Sequence, residues 1–176
     1  MLKVQKTQVL EEIKILKRTI QPGILFLLET MTNEKNSRVI IQKIGFGHFD
    51  FVLPCNHSGG IWVLWNNNNC HASVLTKDNR VIHMLVHDPG NAKNIIVTGI
   101  YRPTQTHEKD AFWNYLVQMN SVIDLPWLLV GDFNELESLT DKRGGSSPSV
   151  RRIERLNSFL TMIRAESILV NGKNFN

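Results

Sequence analysis

The sequence predicts an α/β domain in which helices pack on a mixed β-sheet. Apolar segments of strand length dominate the middle of the 176-residue chain, and helical apolar spacing occurs before and after them. The length fits one domain over residues 1–176, and 42% hydrophobic with 20% charged residues is ordinary for a globular protein. No glycine-rich nucleotide loop is present, and the order of elements is too irregular for a simple doubly wound sheet.

The amino-terminal part predicts a helix, a strand and a second helix. The first helix ends before Pro22, and residues 24–28 form a continuous apolar run typical of a strand covered on both faces. A shorter helix is predicted over residues 33–43. The first helix has four apolar residues at helical spacing: Val9, Ile13, Leu16 and Ile20.

The middle of the chain predicts five strands. Residues 48–53 and 60–65 form the first two, and residues 71–76 and 81–86 flank a polar turn, which indicates a hairpin. Residues 94–101 form the fifth, which ends before an Arg-Pro pair.

The carboxy-terminal part predicts a helix over residues 107–123, a buried strand over residues 126–130 and a last helix over residues 148–165. The strand is short and wholly apolar, and a glycine follows it. This order returns the chain from strands to alternating helix and strand, which supports the α/β class.

Several classes of function are disfavoured by the residues. No segment has the apolar length of a membrane helix, and the first 20 residues lack the apolar centre of a secretory signal. Cys55 and Cys70 form no metal or disulfide pattern, as expected of reduced thiols in an intracellular protein. No serine or cysteine lies in a nucleophile signature. Four histidines beside strands match no metal-ligand spacing and are predicted to be structural: His57, His71, His83 and His87.

Two apolar strands end in carboxylates. Residues 24–28 lead directly to Glu29, and the strand over residues 126–130 leads through Gly131 to Asp132 and then Asn134. A carboxylate beside an apolar strand is costly unless it is solvated, paired or bound to a cation. Converging carboxylate and amide oxygens suit Mg²⁺ or Mn²⁺. The alternatives remain an ordinary strand end at Glu29, and a turn in which Asp132 and Asn134 bind their own backbone.

The net charge of +4 comes from the end of the chain. Residues 141–176 hold seven Lys or Arg and three Asp or Glu, so 7 − 3 = +4, while residues 1–140 cancel at 13 each. This cluster suits a nucleic-acid phosphate backbone, and a solvated helix face explains it equally well. The proposed contacts are Lys142, Arg143, Arg151 and Arg152, with Arg102 added beside the predicted site.

The chain resembles the endonuclease/exonuclease/phosphatase superfamily, and within it the apurinic-type endonuclease domain of plant LINE-type (non-LTR) retrotransposons. The central motif is Gly131-Asp132-Phe133-Asn134 after an apolar strand. The segments that carry the resemblance, in the family's order, are residues 22–30, 59–65, 98–103, 125–135 and 141–145.

The resemblance implies a four-layered α/β sandwich with two facing mixed β-sheets and a site at one edge. It implies hydrolysis of DNA that depends on Mg²⁺ or Mn²⁺, with DNA as partner, and it is compatible with a nuclear location. No feature of the residues points to an obligate protein partner. Glu29 is implied as the metal ligand, and Tyr101 as a contact to the scissile phosphate region. Asp132 is implied to orient or deprotonate the attacking water, and Asn134 to steady that carboxylate and the phosphate.

The family's first and last strands have no counterpart in these 176 residues. They carry a Trp-Asn-x-Arg-Gly run and a Ser-Asp-His motif. We therefore expect a partial domain with weak or no turnover, since lost acid–base groups can cost about 10²–10⁴-fold each. Two alternatives stay open: a non-catalytic relict that binds nucleic acid, and a phosphatase or lipid phosphodiesterase of the same superfamily.

Overall fold

The structure is a computed structural model that describes residues 2–55, 58–67, 71–88, 90, 92–103, 106–135 and 150–168. It contains four helices and seven strands within these ranges. In chain order they are α1 (Leu2–Ile20), β1 (Ile24–Leu28), α2 (Glu34–Ile44), β2 (His48–Cys55), β3 (Ser58–Trp65), β4 (His71–Asp78), β5 (Val81–Asp88), β6 (Lys93–Tyr101), α3 (Thr106–Val122), β7 (Trp127–Asp132) and α4 (Val150–Ile163). Every element predicted from the sequence is present, and the bounds differ by a few residues.

The described strands form two sheets. The first sheet is antiparallel and has the order β1-β3-β2, and the second is mixed and has the order β4-β5-β6-β7, with only β6 and β7 parallel. Clustering of the backbone divides the chain into two compact units. The first holds both sheets with α1 and α2 (residues 1–101 and 125–132), and the second holds α3 and α4 (residues 102–124 and 133–176).

In the first unit, the two sheets face each other across an apolar core. Side chains of both sheets meet there, among them Val63 and Trp65 from β3, Met84 from β5 and Val97 from β6. The other face of the antiparallel sheet is covered by α1 and α2, where Ile41 packs with residues of β3. The predicted α/β class with two facing sheets is therefore confirmed.

Both ends of helix α2 are capped, by Asn33 before its first turn and by Gly45 after its last turn. The Asn33 side chain accepts a hydrogen bond from the Asn36 amide at 2.9 Å, which caps the first turn. Gly45 closes the helix at φ = 79°, a left-handed conformation that glycine adopts without strain. Lys17 of α1 donates from Nζ to the Ile44 carbonyl at 3.2 Å, so α1 also satisfies the end of α2.

The buried face of α1 differs from the predicted one. Leu10 and Ile13 pack on the core beside α2, whereas Val9 and Ile20 are 51% and 66% exposed. The ammonium of Lys17 lies 4.8 Å from the centre of the Phe46 ring. This contact and the cap at Ile44 turn the helix toward Leu10, Ile13 and Lys17, because a long lysine stem can cover apolar surface while its charge reaches a polar group.

In the second unit, α3 and α4 pack through aromatic side chains. The Trp113 ring of α3 lies 4.3 Å from the Phe159 ring of α4, measured between centroids, and also stacks on Phe133 at 6.3 Å. Leu116 is fully buried. No helix in the described ranges is long and apolar enough to cross a membrane.

Candidate active site

Three of the predicted site residues meet at one end of the first unit. Tyr101 is the last residue of β6, and the parallel register pairs it with Asp132, the last residue of β7. Glu29 follows the last residue of β1, and β1 lies beside β7. The ends of three strands from two sheets therefore bring Glu29, Tyr101 and Asp132 together, although 103 positions separate the first from the last (132 − 29).

Tyr101 is the buried centre of this group. Its ring is in the core between the sheets, and only 3% of the residue is exposed. Its hydroxyl donates a hydrogen bond of 2.6 Å to Glu29 Oε1. Burial, the bond to Glu29 and the charges of Glu29 and Asp132 raise the pKa of Tyr101 to about 12, against a smaller opposing effect of Arg80. The phenol therefore stays protonated at neutral pH and acts as a hydrogen-bond donor.

The two carboxylates are both exposed. Glu29 adopts φ = 53°, an uncommon left-handed conformation for a residue other than glycine, immediately after the regular pairing of β1 ends. Such strained backbone positions persist where the surrounding structure holds them, often at functional sites. Solvent reaches both carboxylates beside a buried phenol, so a cation, a water molecule and a substrate can also reach them.

A divalent ion fits these residues. Mg²⁺ is usually held in proteins by one or two carboxylates together with water and substrate phosphate oxygens. Glu29 and Asp132 provide two carboxylates of this kind. Within the described ranges no three His, Cys, Asp or Glu side chains gather into a fuller cage.

Arg80 belongs to the same site and was not predicted. Its guanidinium lies 5.6 Å from the centre of the Tyr101 ring, and its carbonyl accepts the Tyr101 amide hydrogen at 2.9 Å. Its Nη2 lies 3.4 Å from Ser58 Oγ. Gly59 makes this approach possible, because its φ is 87° and a Cβ there would lie 3.2 Å from Arg80 Nη1.

The register of two strands explains why Arg80 reaches the site. Val81 pairs with Ile100, so the preceding residue stands opposite Tyr101. The sequence indicated that Arg80 ends a hairpin turn. It contained no signal for the pairing of β5 with β6, and only that pairing turns the end of a hairpin into part of a site.

Asn134 and Arg102 form a tight arrangement in the second unit. Asn134 Nδ2 donates to the Arg102 carbonyl at 2.9 Å, and Arg102 Nη2 donates to the Asn134 carbonyl at 2.7 Å. Arg102 Nε also donates to the Phe133 carbonyl. Arg102 is fully buried and pairs with buried Glu135 at 2.9 Å, and Arg155 reaches the same carboxylate oxygen at 3.1 Å.

These contacts bear on the predicted nucleic-acid contacts. Arg102 has no exposed surface to offer a phosphate, so the structure favours a structural role over the contact that the sequence suggested. Lys142 and Arg143 lie outside the described residues. Arg151 and Arg152 lie in α4, and their side chains also fall outside the described part, so all four stay predictions.

The family of the chain follows from comparison with known proteins. Residues 4–165 match the model of the Endonuclease/Exonuclease/phosphatase family. The chain therefore belongs to this family, whose members are nucleases, phosphodiesterases and phosphatases, and the family predicted from the sequence motifs is confirmed. Nucleases of this family generally depend on a divalent metal. No curated protein sequence matches the chain.

Solved structures share the fold at low sequence identity. An AP endonuclease from Leishmania major has a TM-score of 0.65 and 13% identity over 86% of this chain and 60% of its own. The endonuclease domain of TRAS1, a telomere-specific non-LTR retrotransposon, has a TM-score of 0.60 and 12% identity over 86% and 64%. A 3′ phosphatase from Neisseria, bound to a product DNA hairpin, has a TM-score of 0.60 and 15% identity over 87% and 65%. The chain thus spans less than two thirds of the length of each.

Proposed function

We propose that this chain carries the catalytic edge of a metal-dependent DNA endonuclease of the retrotransposon type. The single observation that supports it best is the meeting of Glu29, Tyr101 and Asp132, in which two exposed carboxylates flank a buried phenol. Glu29 would hold Mg²⁺ or Mn²⁺, and the ion would neutralise charge that develops on the phosphate oxygens.

The residues have distinct roles in this proposal. Asp132 accepts a proton from the attacking water, since its carboxylate is exposed and the residue pairs with Tyr101 at the ends of β6 and β7. The new bond joins water oxygen to phosphorus, and one phosphorus–ester oxygen bond breaks. Tyr101 donates its hydroxyl hydrogen bond toward the phosphate when substrate replaces part of its contact with Glu29. Asn134 remains a proposed catalytic residue, and within its own unit its side-chain amide donates to the Arg102 carbonyl.

Arg80 supplies positive charge next to the Tyr101 ring. A guanidinium binds phosphate oxygens through paired hydrogen bonds, and here it stands next to the phenol that faces Glu29. Tyr101 therefore contacts both a carboxylate that could bind a metal ion and a guanidinium that could bind the phosphodiester. The basic residues Lys142, Arg143, Arg151 and Arg152 are proposed to hold the flanking nucleic-acid backbone.

A plasmid assay tests this function. Supercoiled DNA is incubated with the chain in Mg²⁺ or in EDTA, and nicked circles are counted. We expect weak nicking that EDTA removes and that falls about 10²–10⁴-fold, to below detection, in Asp132→Asn and Glu29→Gln. Glu11→Gln is the matched control, because Glu11 is an exposed carboxylate on α1 that forms an ion pair with Lys14 on the same helix. Nicking that survives in Asp132→Asn would contradict the assigned mechanism.

A second candidate is nucleic-acid binding without catalysis. It is favoured by the charge of residues 141–176, which hold all of the +4. Binding of labelled duplex that weakens steeply with salt, together with no cleavage of duplex or of a 3′-phosphorylated oligonucleotide, would support it. Release of phosphate from that oligonucleotide without nicking would instead indicate a phosphatase.

A further inference from the structure

A buried chain of hydrogen bonds crosses three neighbouring strands of the mixed sheet. Trp127, the first residue of β7, donates from Nε1 to Thr98 Oγ1 of β6 at 2.7 Å. The same oxygen lies 2.8 Å from His83 Nδ1 of β5. His83 and Thr98 are 1% and 0% exposed. These residues lie away from the core between the sheets, because Val97 and Tyr101 of β6 point into that core and side chains alternate along a strand.

The chemistry of the three groups determines which one donates in each hydrogen bond. An indole N–H can only donate, so Thr98 Oγ1 accepts from Trp127. Thr98 can then donate its own hydrogen to Nδ1 of neutral His83. Burial lowers the pKa of His83, which favours the neutral imidazole that this bond requires. One hydroxyl thereby joins β5, β6 and β7 in a single defined arrangement.

The strand β7 has few other features that set its position. Among the described strands it pairs through backbone hydrogen bonds with β6 alone, and Leu128 and Val130 are 36% and 38% exposed. A strand with exposed side chains has a weakly specified register, because a slip exposes little that was buried. A slip of two residues would move Asp132 by about 7 Å, at roughly 3.3 Å per residue. Tyr101 would remain on Glu29, bound at 2.6 Å.

A second feature near the other end of β7 has the same effect. Gly131 pairs with Ile100, and a Cβ at this position would lie 2.0 Å from the Ile100 carbonyl oxygen. Only glycine fits opposite Ile100, so Leu129 or Phe133 could not take this place after a slip of two residues. Trp127 at the start and Gly131 near the end therefore define one register between them.

We propose that Thr98 is a positioning residue, which fixes the register of β7 through Trp127 and His83 and so places Asp132 beside Tyr101. This proposal rests on the proposed function for its effect on turnover. Its effect on the strand itself does not depend on any activity. Thr98 and Trp127 do not touch the reacting atoms, and they act through the strand that ends in Asp132.

The test compares three substitutions in the hydrogen-bonded residues Thr98 and Trp127. Thr98→Val keeps the shape and removes the hydroxyl, Thr98→Ser keeps the hydroxyl, and Trp127→Phe removes the donor. Thr76→Val is the matched control, because Thr76 is an exposed threonine of β4 in the same sheet. We expect Thr98→Val and Trp127→Phe to lower kcat of metal-dependent nicking by about 10²-fold, as a misplaced group does. KM should change less than threefold, and Thr98→Ser should retain most of the rate.

Hydrogen exchange of the full chain provides the second measurement. The amides of β7 should exchange at least tenfold faster in Thr98→Val than in the wild type, while those of β4 and β5 keep their protection. If wild-type protein does not nick DNA, the proposed function fails, and the exchange of β7 still decides the role of Thr98. Unchanged β7 protection in Thr98→Val overturns the proposal, as does an equal loss of rate in Thr98→Ser and Thr98→Val.

Discussion

The buried ion pair between Arg102 and Glu135 makes Glu135→Gln a strongly destabilising substitution. Both side chains are fully buried, their charged atoms are 2.9 Å apart, and Arg155 reaches the same Glu135 oxygen at 3.1 Å. Glu135→Gln removes the negative charge and leaves a buried guanidinium without its counterion. Breaking a buried pair in this way costs about 3–5 kcal/mol. With a urea m-value of about 2 kcal/mol/M, the midpoint should fall by roughly 1.5–2.5 M.

The matched control is the same substitution in an exposed pair. Glu34 and Arg38 are separated by 2.8 Å on α2, with side chains that are 56% and 53% exposed. Such a helical pair contributes about 0.3–0.5 kcal/mol, so Glu34→Gln should move the midpoint by no more than about 0.3 M. Urea melts followed by far-UV circular dichroism measure both. Equal shifts for the two variants would refute the view that burial makes the Arg102 pair important.

A double variant separates charge from packing. Arg102→Met together with Glu135→Leu removes both charges, and such replacements are often neutral when the volume is kept. Arg102 also binds the carbonyls of Phe133 and Asn134, which lose these bonds at about 1–3 kcal/mol each. The two bonds together cost about 2–6 kcal/mol, so we expect the double variant to be destabilised about as much as Glu135→Gln.

Two further predictions concern pH. Because the pKa of Tyr101 is about 12, its phenol stays protonated between pH 6 and pH 10. The pH dependence of the nicking rate over this range should therefore have the same shape in Tyr101→Phe as in the wild type. Tyr101→Phe itself should lower the rate about 10- to 100-fold through the lost hydrogen bond to a charged group. Burial lowers the pKa of folded His83 below its unfolded value of 6.5, so the unfolded chain binds more protons as the pH falls through 6.5. Its contribution to stability is present above that pH and lost below it, and urea midpoints at pH 7.5 and pH 5.5 should differ less in His83→Gln than in the wild type.

Local pattern predicted the elements and the polar ends of two strands. The apolar run before Glu29 and the run before Asp132 are strands with nearly the predicted bounds, since strand formation and termination depend on neighbouring residues. The strand β7 was predicted to be buried, and the structure contradicts this, because among the described strands β7 pairs with β6 alone and its Leu128 and Val130 are partly exposed. An apolar run does not show whether its strand will pair with neighbours on both sides or on one side.

The α/β class, the family and the two strands that present Glu29 and Asp132 could all be predicted from the sequence. They follow from short segments whose interpretation does not depend on distant residues. The residues that surround the two carboxylates became known from the three-dimensional fold. It placed Arg80 over Tyr101 through the register of β5 and β6, and it joined Trp127 to His83 through Thr98. Strand pairing and burial arise between residues far apart in the chain, and for that reason no local pattern could have specified them.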